Sequence, residues 1–253
     1  MKLIYDERFC ESGYADDNAA IPGRMEAAMS RLLDGCWDLV PAVPATLDQL
    51  LLAHEAAYVS QVSQDPPRFS MASLAAGGAI LAATYGHGGD PAFACVRPPG
   101  HHASRGEAWG HCTFSNVALA LLALRSEQKI NRAFVLDIDA HTGDGTRKVL
   151  AHWPDAIVFN PFASDATEYL DLIEARLADL DRTDILAVSA GFDAYRLDVG
   201  HKLDTEDFAT IGRLVRESAK RLCQGRRFAV LEGGYYLPDL GVNVAAFCRG
   251  FAG

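Results

Sequence analysis

The stretch A-F-V-L-D-I-D-A-H-T-G-D-G-T, Ala133 to Thr146, decides how this chain is read. It begins as an apolar run and then places Asp137, Asp139, His141 and Asp144 within eight positions. A short continuous apolar run fits a strand buried on both faces, as in a parallel sheet covered by helices. Asp137, Asp139 and His141 stand at i, i+2 and i+4, so in extended chain their side chains project to one side. Three such groups facing one way would repel and desolvate one another unless a cation neutralises them. One or two Asp with one His suit a divalent metal of the zinc type, with coordination positions left open for water and substrate.

Working outward, K-L-I-Y (2–5), A-F-A-C-V (92–96), A-I-V-F-N (156–160), D-I-L-A-V-S-A (184–190) and R-F-A-V-L-E-G (227–233) also read as strands. The patterns between them predict helices over 23–33, 47–62, 71–86, 114–128, 143–153, 167–180 and 203–223, and a C-terminal helix through 240–250. In 203–223, Phe208, Ile211, Val215 and Leu222 share a face, and Asp204 or Thr205 can cap the start. Gly77 and Gly78 allow close packing of the apolar helix that holds them. Alternation of strand and helix predicts an α/β fold: a central, mainly parallel sheet flanked by helices in three layers. No linker rich in Pro, Gly or Ser interrupts the chain, so residues 1–253 are expected to form a single domain.

Composition narrows the classes. The 253 residues are 49% hydrophobic and 22% charged, with a formal net charge of -10. An acidic surface argues against nucleic acid as a partner, because non-specific binding runs on Lys and Arg, and it suits a cationic substrate. Cys10, Cys36, Cys95, Cys112, Cys223 and Cys248 form no CxxC pair, which speaks against a disulfide framework or a thiolate zinc site. The N-terminus M-K-L-I-Y-D-E-R-F-C carries acids early and lacks a signal-peptide core, and no uninterrupted apolar run approaches a membrane span. The expectation is a cytoplasmic protein with no membrane partner.

Four strand runs end in polar clusters: R-P-P-G-H-H-A (97–103), the D-A-H-T-G-D-G-T segment, G-F-D-A-Y (191–195) and the tyrosines after E-G-G (232–236). Ligands of open parallel sheets bind outside the carboxyl ends of the strands. Asp193 can supply a further carboxylate to Asp139 and His141, giving an Asp, His, Asp site with an open face. Pro98, Pro99 and Gly100 shape the entry to His101 and His102, candidates for general base or acid beside such a site. Asp137 and Asp144 remain to orient those histidines. Singly, each residue has an ordinary reading as a helix cap, turn or packed side chain. Together they would need unrelated ordinary reasons at one sheet edge. Trp109 and His111, in E-A-W-G-H-C, read as pocket-wall residues, whereas His54, His87 and His152 read as non-catalytic and Asp65 as a turn residue.

These motifs resemble, in order, the signatures of the arginase/deacetylase superfamily, specifically its zinc-dependent histone deacetylases and acetylpolyamine amidohydrolases. The resemblance runs from about Leu47 to the C-terminus, and L-E-G-G-Y-Y-L-P-D-L-G-V-N-V-A-A-F-C-R-G-F-A-G (231–253) resembles the acetylpolyamine type more closely. It implies one zinc ion per chain on Asp139, His141 and Asp193. It implies a catalytic pair His101 and His102 backed by Asp137 and Asp144, with Tyr235 as oxyanion donor. Gly110, His111 and Gly233 become substrate-binding residues, and a structural potassium ion is expected near Asp137, on backbone carbonyls around Asp139 and His141. The implied reaction is hydrolysis of an N-acetyl amide on a cationic amine, acetyl-lysine in a protein or a small acetylpolyamine, with acetate released. His102 is the expected base, and the amine's proton returns from His101 or His102.

The chain departs from the family at several points. Thr142 stands where a second histidine usually follows the ligand, His111 replaces a channel aromatic, and V-F-N-P-F (158–162) lacks the Ser-Leu-His pattern. Trimmed loops predict a more open pocket, which an oligomeric partner could complete. Two alternatives are a binuclear-manganese ureohydrolase of the arginase type, for which Tyr195 replaces an expected carboxylate, and a non-catalytic module that binds an acetylated ligand.

Overall fold

A computed structural model describes residues 1–33, 35 and 37–253; Cys36 lies outside them. Among the described residues, seven strands form one sheet: β1 (Lys2–Tyr5), β2 (Asp38–Pro41), β3 (Ala92–Ala94), β4 (Ala133–Asp137), β5 (Ala156–Phe159), β6 (Ile185–Ala190) and β7 (Arg227–Leu231). The order is β2-β1-β3-β7-β6-β4-β5, and every pairing is parallel. β3, β4, β6 and β7 are buried along their whole length, as their apolar composition requires. They are consecutive neighbours in the sheet. Parallel direction therefore brings their four carboxyl ends to one edge.

The helices are α1 (Arg24–Met29), α2 (Leu47–Ala53), α3 (Ala56–Val62), α4 (Pro66–His87), α5 (Asn116–Ser126), α6 (Asp144–Leu150), α7 (Ala166–Ala178), α8 (Thr205–Cys223) and α9 (Leu237–Ala252). α4 packs on α5 and on β1, β3 and β7, whereas α8 and α9 pack on each other and carry α7 and α1. α4 is long and apolar enough to cross a bilayer, but 67% of its apolar window is buried in the fold. It is a core helix. Gly77 earns its place there, because a Cβ would collide with the Val43 carbonyl.

Three expectations are corrected. The helix read over 47–62 is two helices, because the Glu55 N–H donates to the Arg105 carbonyl at 2.8 Å and His54 Nε2 accepts the Ser115 N–H at 3.0 Å. α4 starts earlier than read: Asp65 caps it by accepting the Arg68 N–H, with proline in the first turn. β2 has no counterpart among the expected strands because D-L-V-P has no apolar alternation; it is defined by pairing with β1, beside a Lys2–Asp38 ion pair of 3.0 Å. α8 follows the reading closely, with Asp204 as cap and Phe208, Ile211 and Val215 buried.

Candidate active site

Each strand end delivers one part of the site. Beyond β3, the backbone N–H groups of Gly100 and His101 both donate to Glu232 Oε2, at 2.6 and 3.1 Å. That carboxylate, buried after β7, fixes where the two histidines begin. His101 Nδ1 lies 3.1 Å from Asp137 Oδ2 and its Nε2 3.7 Å from Asp139 Oδ1. His102 Nδ1 lies 2.9 Å from Asp144 Oδ1. A carboxylate accepts only from an N–H, so His102 carries its proton on Nδ1, and among the described residues no hydrogen bond engages Nε2. Asp144 is the opening residue of α6, where the N-terminal dipole favours an anion.

Beyond β4 and β6, Asp139, His141 and Asp193 bring one ligand atom each within 4.8 Å of one another. His141 Nδ1 is 3.0 Å from Asp139 Oδ1 and 3.0 Å from Asp193 Oδ2. Although Asp193 Oδ2 is buried and 3.0 Å from that nitrogen, the two are out of hydrogen-bond alignment, and among the described residues no other donor reaches it. The other oxygens are held: the Ala140 N–H donates to Asp193 Oδ1 and the Gly233 N–H to Asp139 Oδ2, each at 2.9 Å.

The electrostatics explain what this arrangement needs. Burial, then the neighbouring Asp139, pushes the Asp193 carboxyl up to about 7. Burial opposes charge on Asp139 as well, but His101, His141 and two backbone N–H groups outweigh it and hold that carboxyl below its usual range. The two carboxylates lift His141 to about 10, so a proton on its ring serves as their cation. A divalent metal would take over that role, and an unpartnered buried carboxylate oxygen beside an imidazole nitrogen fits one. Burial, then His101, holds His102 down to about 4, leaving it neutral. Burial drives the Tyr235 hydroxyl well above the usual phenol range, so it stays protonated.

Tyr235 follows β7. Its N–H and that of Tyr236 both donate to Asp198 Oδ2, at 2.6 and 2.7 Å. Arg24 reaches from α1 to the Gly234 and Glu232 carbonyls, at 3.0 and 2.6 Å, and lies 5.5 Å from the Tyr235 ring centre. A cavity of about 170 Å³ is lined by His101, His102, Trp109, His111, His141 and Tyr235 among others. Gly110 lines it too, and Gly233 lies against the ligand triad, where a Cβ would sit 2.6 Å from Asp139 Oδ2.

Side chains brace the main chain around Asp137. The Asp137 carbonyl accepts the Asn160 amide at 3.2 Å, and the Ile138 carbonyl accepts the Tyr169 hydroxyl at 3.1 Å. Asn160 Oδ1 faces the Gly143 N–H, so the amide orientation is consistent at both ends. Tyr195 turns its hydroxyl to Asp239, at 2.9 Å, and brings no carboxylate for a second metal.

The sequence alone points to no role for Glu232, Arg24 or Asp198. Glu232 had a visible signal, an acid ending an apolar strand. Arg24 and Asp198 had none, because only folding brings them to residues far away in the chain.

The model of the histone deacetylase domain family matches residues 19–169 and 163–251. The match begins well ahead of Leu47 and so includes Arg24. A probable deacetylase of Methanothermobacter thermautotrophicus is 30% identical over 83% of this chain and 77% of that protein. An acetylpolyamine amidohydrolase of Mycoplana ramosa is 31% identical over 73% of this chain and 62% of its own length. The crystal structure of the HDA15 HD domain superposes with a TM-score of 0.84 at 22% identity, covering 100% of this chain and 91% of that one. The chain spans 45% of the length of one curated relative it matches and 77% of another.

Proposed function

Given that the chain belongs to the histone deacetylase domain family, we propose that it is a zinc-dependent deacetylase, hydrolysing the acetyl amide of a cationic amine. The observation that carries the reading is a cavity lined by His102, whose Nε2 has no partner among the described residues, by Tyr235 and by His141 of the Asp139, His141 and Asp193 triad. Residues 1–253 are read as one catalytic domain with shortened loops.

Asp139, His141 and Asp193 would hold the metal, which when bound polarises the amide carbonyl and acidifies water. His102 Nε2 takes the proton of the attacking water, and the carboxylate of Asp144 steadies the resulting imidazolium through Nδ1–H. Asp137 orients His101 in the same way. Tyr235 donates its hydroxyl proton in a hydrogen bond to the carbonyl oxygen as negative charge develops there. The C–N bond breaks, the amine leaves with a proton from the histidine pair, and acetate remains.

The relatives named for acetylpolyamine hydrolysis and the net charge of -10 support a cationic substrate, a small acetylpolyamine or an acetyl-lysine side chain. The test measures acetate release from an acetyl-lysine peptide, acetylputrescine and acetylspermidine by the zinc-loaded protein. Turnover falling by about 10²–10⁴ in His102→Ala is expected. No turnover on any of the three, with zinc bound, would overturn the reading.

A further inference from the structure

We propose that Trp109 is a positioning residue: it clamps the His102–Asp144 pair from the solvent side, and Lys148 closes the clamp. The kinetic consequence rests on the deacetylase reading; the contact itself does not.

Asp144 has an awkward task. It must hold His102 in one tautomer and one place, yet its side chain is 31% exposed, so water competes for it. Three donors fix it. His102 Nδ1 and Trp109 Nε1 both approach Oδ1, at 2.9 and 3.1 Å, and Lys148 Nζ lies 3.0 Å from Oδ2. The indole also stacks on the imidazole, with ring centres 3.7 Å apart and planes 28° apart. One residue thus grips the pair twice, by its ring on His102 and by its N–H on Asp144.

Exposure divides in the same sense. Trp109 is 53% exposed, whereas His102 is 3% exposed. The indole takes the solvent contact that would otherwise fall on the histidine. The loop is bent to achieve this. Gly110 and His111 follow Trp109 with φ of 57° and 70°, two left-handed residues in succession. A Cβ at Gly110 would lie 2.6 Å from His102 Cδ2, so glycine lets the loop close onto the ring. Lys148, four residues after Asp144 on α6, is also 3.7 Å from Glu107, which ties the helix to this loop.

Two readouts test the proposal. Trp109→Phe keeps a stacked ring and loses the N–H; Trp109→Ala loses both. A drop in kcat of about tenfold for Phe and about a hundredfold for Ala is expected, with KM within about threefold and the melting temperature unchanged. Trp109→Ala with unchanged kcat, or a loss confined to KM, would overturn it, the latter making Trp109 a substrate contact. Independently of turnover, the Trp109 indole N–H resonance, identified by its absence from Trp109→Phe, should shift in both His102→Ala and Asp144→Asn. The Trp153 indole, bonded to the Asn131 carbonyl, should stay in place. A Trp109 resonance that moves in neither variant overturns the clamp. An inactive wild type with a moving resonance supports the clamp and removes the deacetylase reading instead.

Discussion

Two N–H groups converge on one oxygen of Asp198, and through them this residue governs where Tyr235 points. Without the carboxylate, both donors lose their partner inside a site that excludes most water, at a cost of roughly 1–3 kcal/mol each before relaxation. Asp198→Ala should therefore lower kcat by about tenfold or more while KM changes less, because the misplaced group acts on developing charge rather than on substrate binding. Steady-state kinetics on the preferred acetylated amine check this, and an unchanged kcat would remove Asp198 from the site. His101, His102, Asp137, Asp139, His141, Asp144 and Asp193 could all be found in the sequence, because titratable side chains crowded after apolar strands have few ordinary explanations. Asp198 could not, since a lone acid in R-L-D-V-G looks like any turn residue.

At the scale of elements, the break between α2 and α3 has a measurable consequence. His54 sits at the end of α2 and accepts the N–H of Ser115, the residue that opens α5. Acceptance at Nε2 requires an unprotonated nitrogen. Burial holds the ring's pKa down to about 4, against an ordinary value of 6.5. The folded state thus favours neutral His54 over the unfolded chain. Above pH 6.5 both states are neutral and nothing is lost; as pH falls from 6.5 toward 4 the unfolded state gains a proton that the folded state resists, and stability declines. The full loss is about 3 kcal/mol. Urea unfolding of wild type and His54→Gln across that window should show a steeper decline in the wild type; parallel profiles would refute the assignment. Helix periodicity predicted 47–62 as one helix because the break lies in contacts with Arg105 and Ser115, not in any local breaker. α8 was readable to within a residue or two, because its cap and its apolar face are both local.

For the whole molecule, the triad of Asp139, His141 and Asp193 makes metal occupancy a stability variable. A metal that binds only the folded state at about a thousand times its dissociation constant adds roughly 4 kcal/mol. For a chain of this size each kcal/mol is about 2–4 °C, so chelation should lower the melting temperature by about 10 °C. Native mass spectrometry should show one ion lost per chain. A melting curve indifferent to chelator, with the ion confirmed removed, would make the triad an ordinary buried ion-pair cluster.

The α/β class, the strands that carry the site and the chemical kinds of residue at their ends are all legible in the chain order. Those are set by periodicity, by apolar runs and by the improbability of crowding charges without a cation. The sheet order that lines up β3, β7, β6 and β4, the reach of Arg24 across 208 residues to the Glu232 carbonyl, and the contacts of Trp109 with His102 and Asp144 arise only on folding. Non-local contacts are energies between residues that the chain order keeps apart, so they leave no pattern in the local sequence from which to read them.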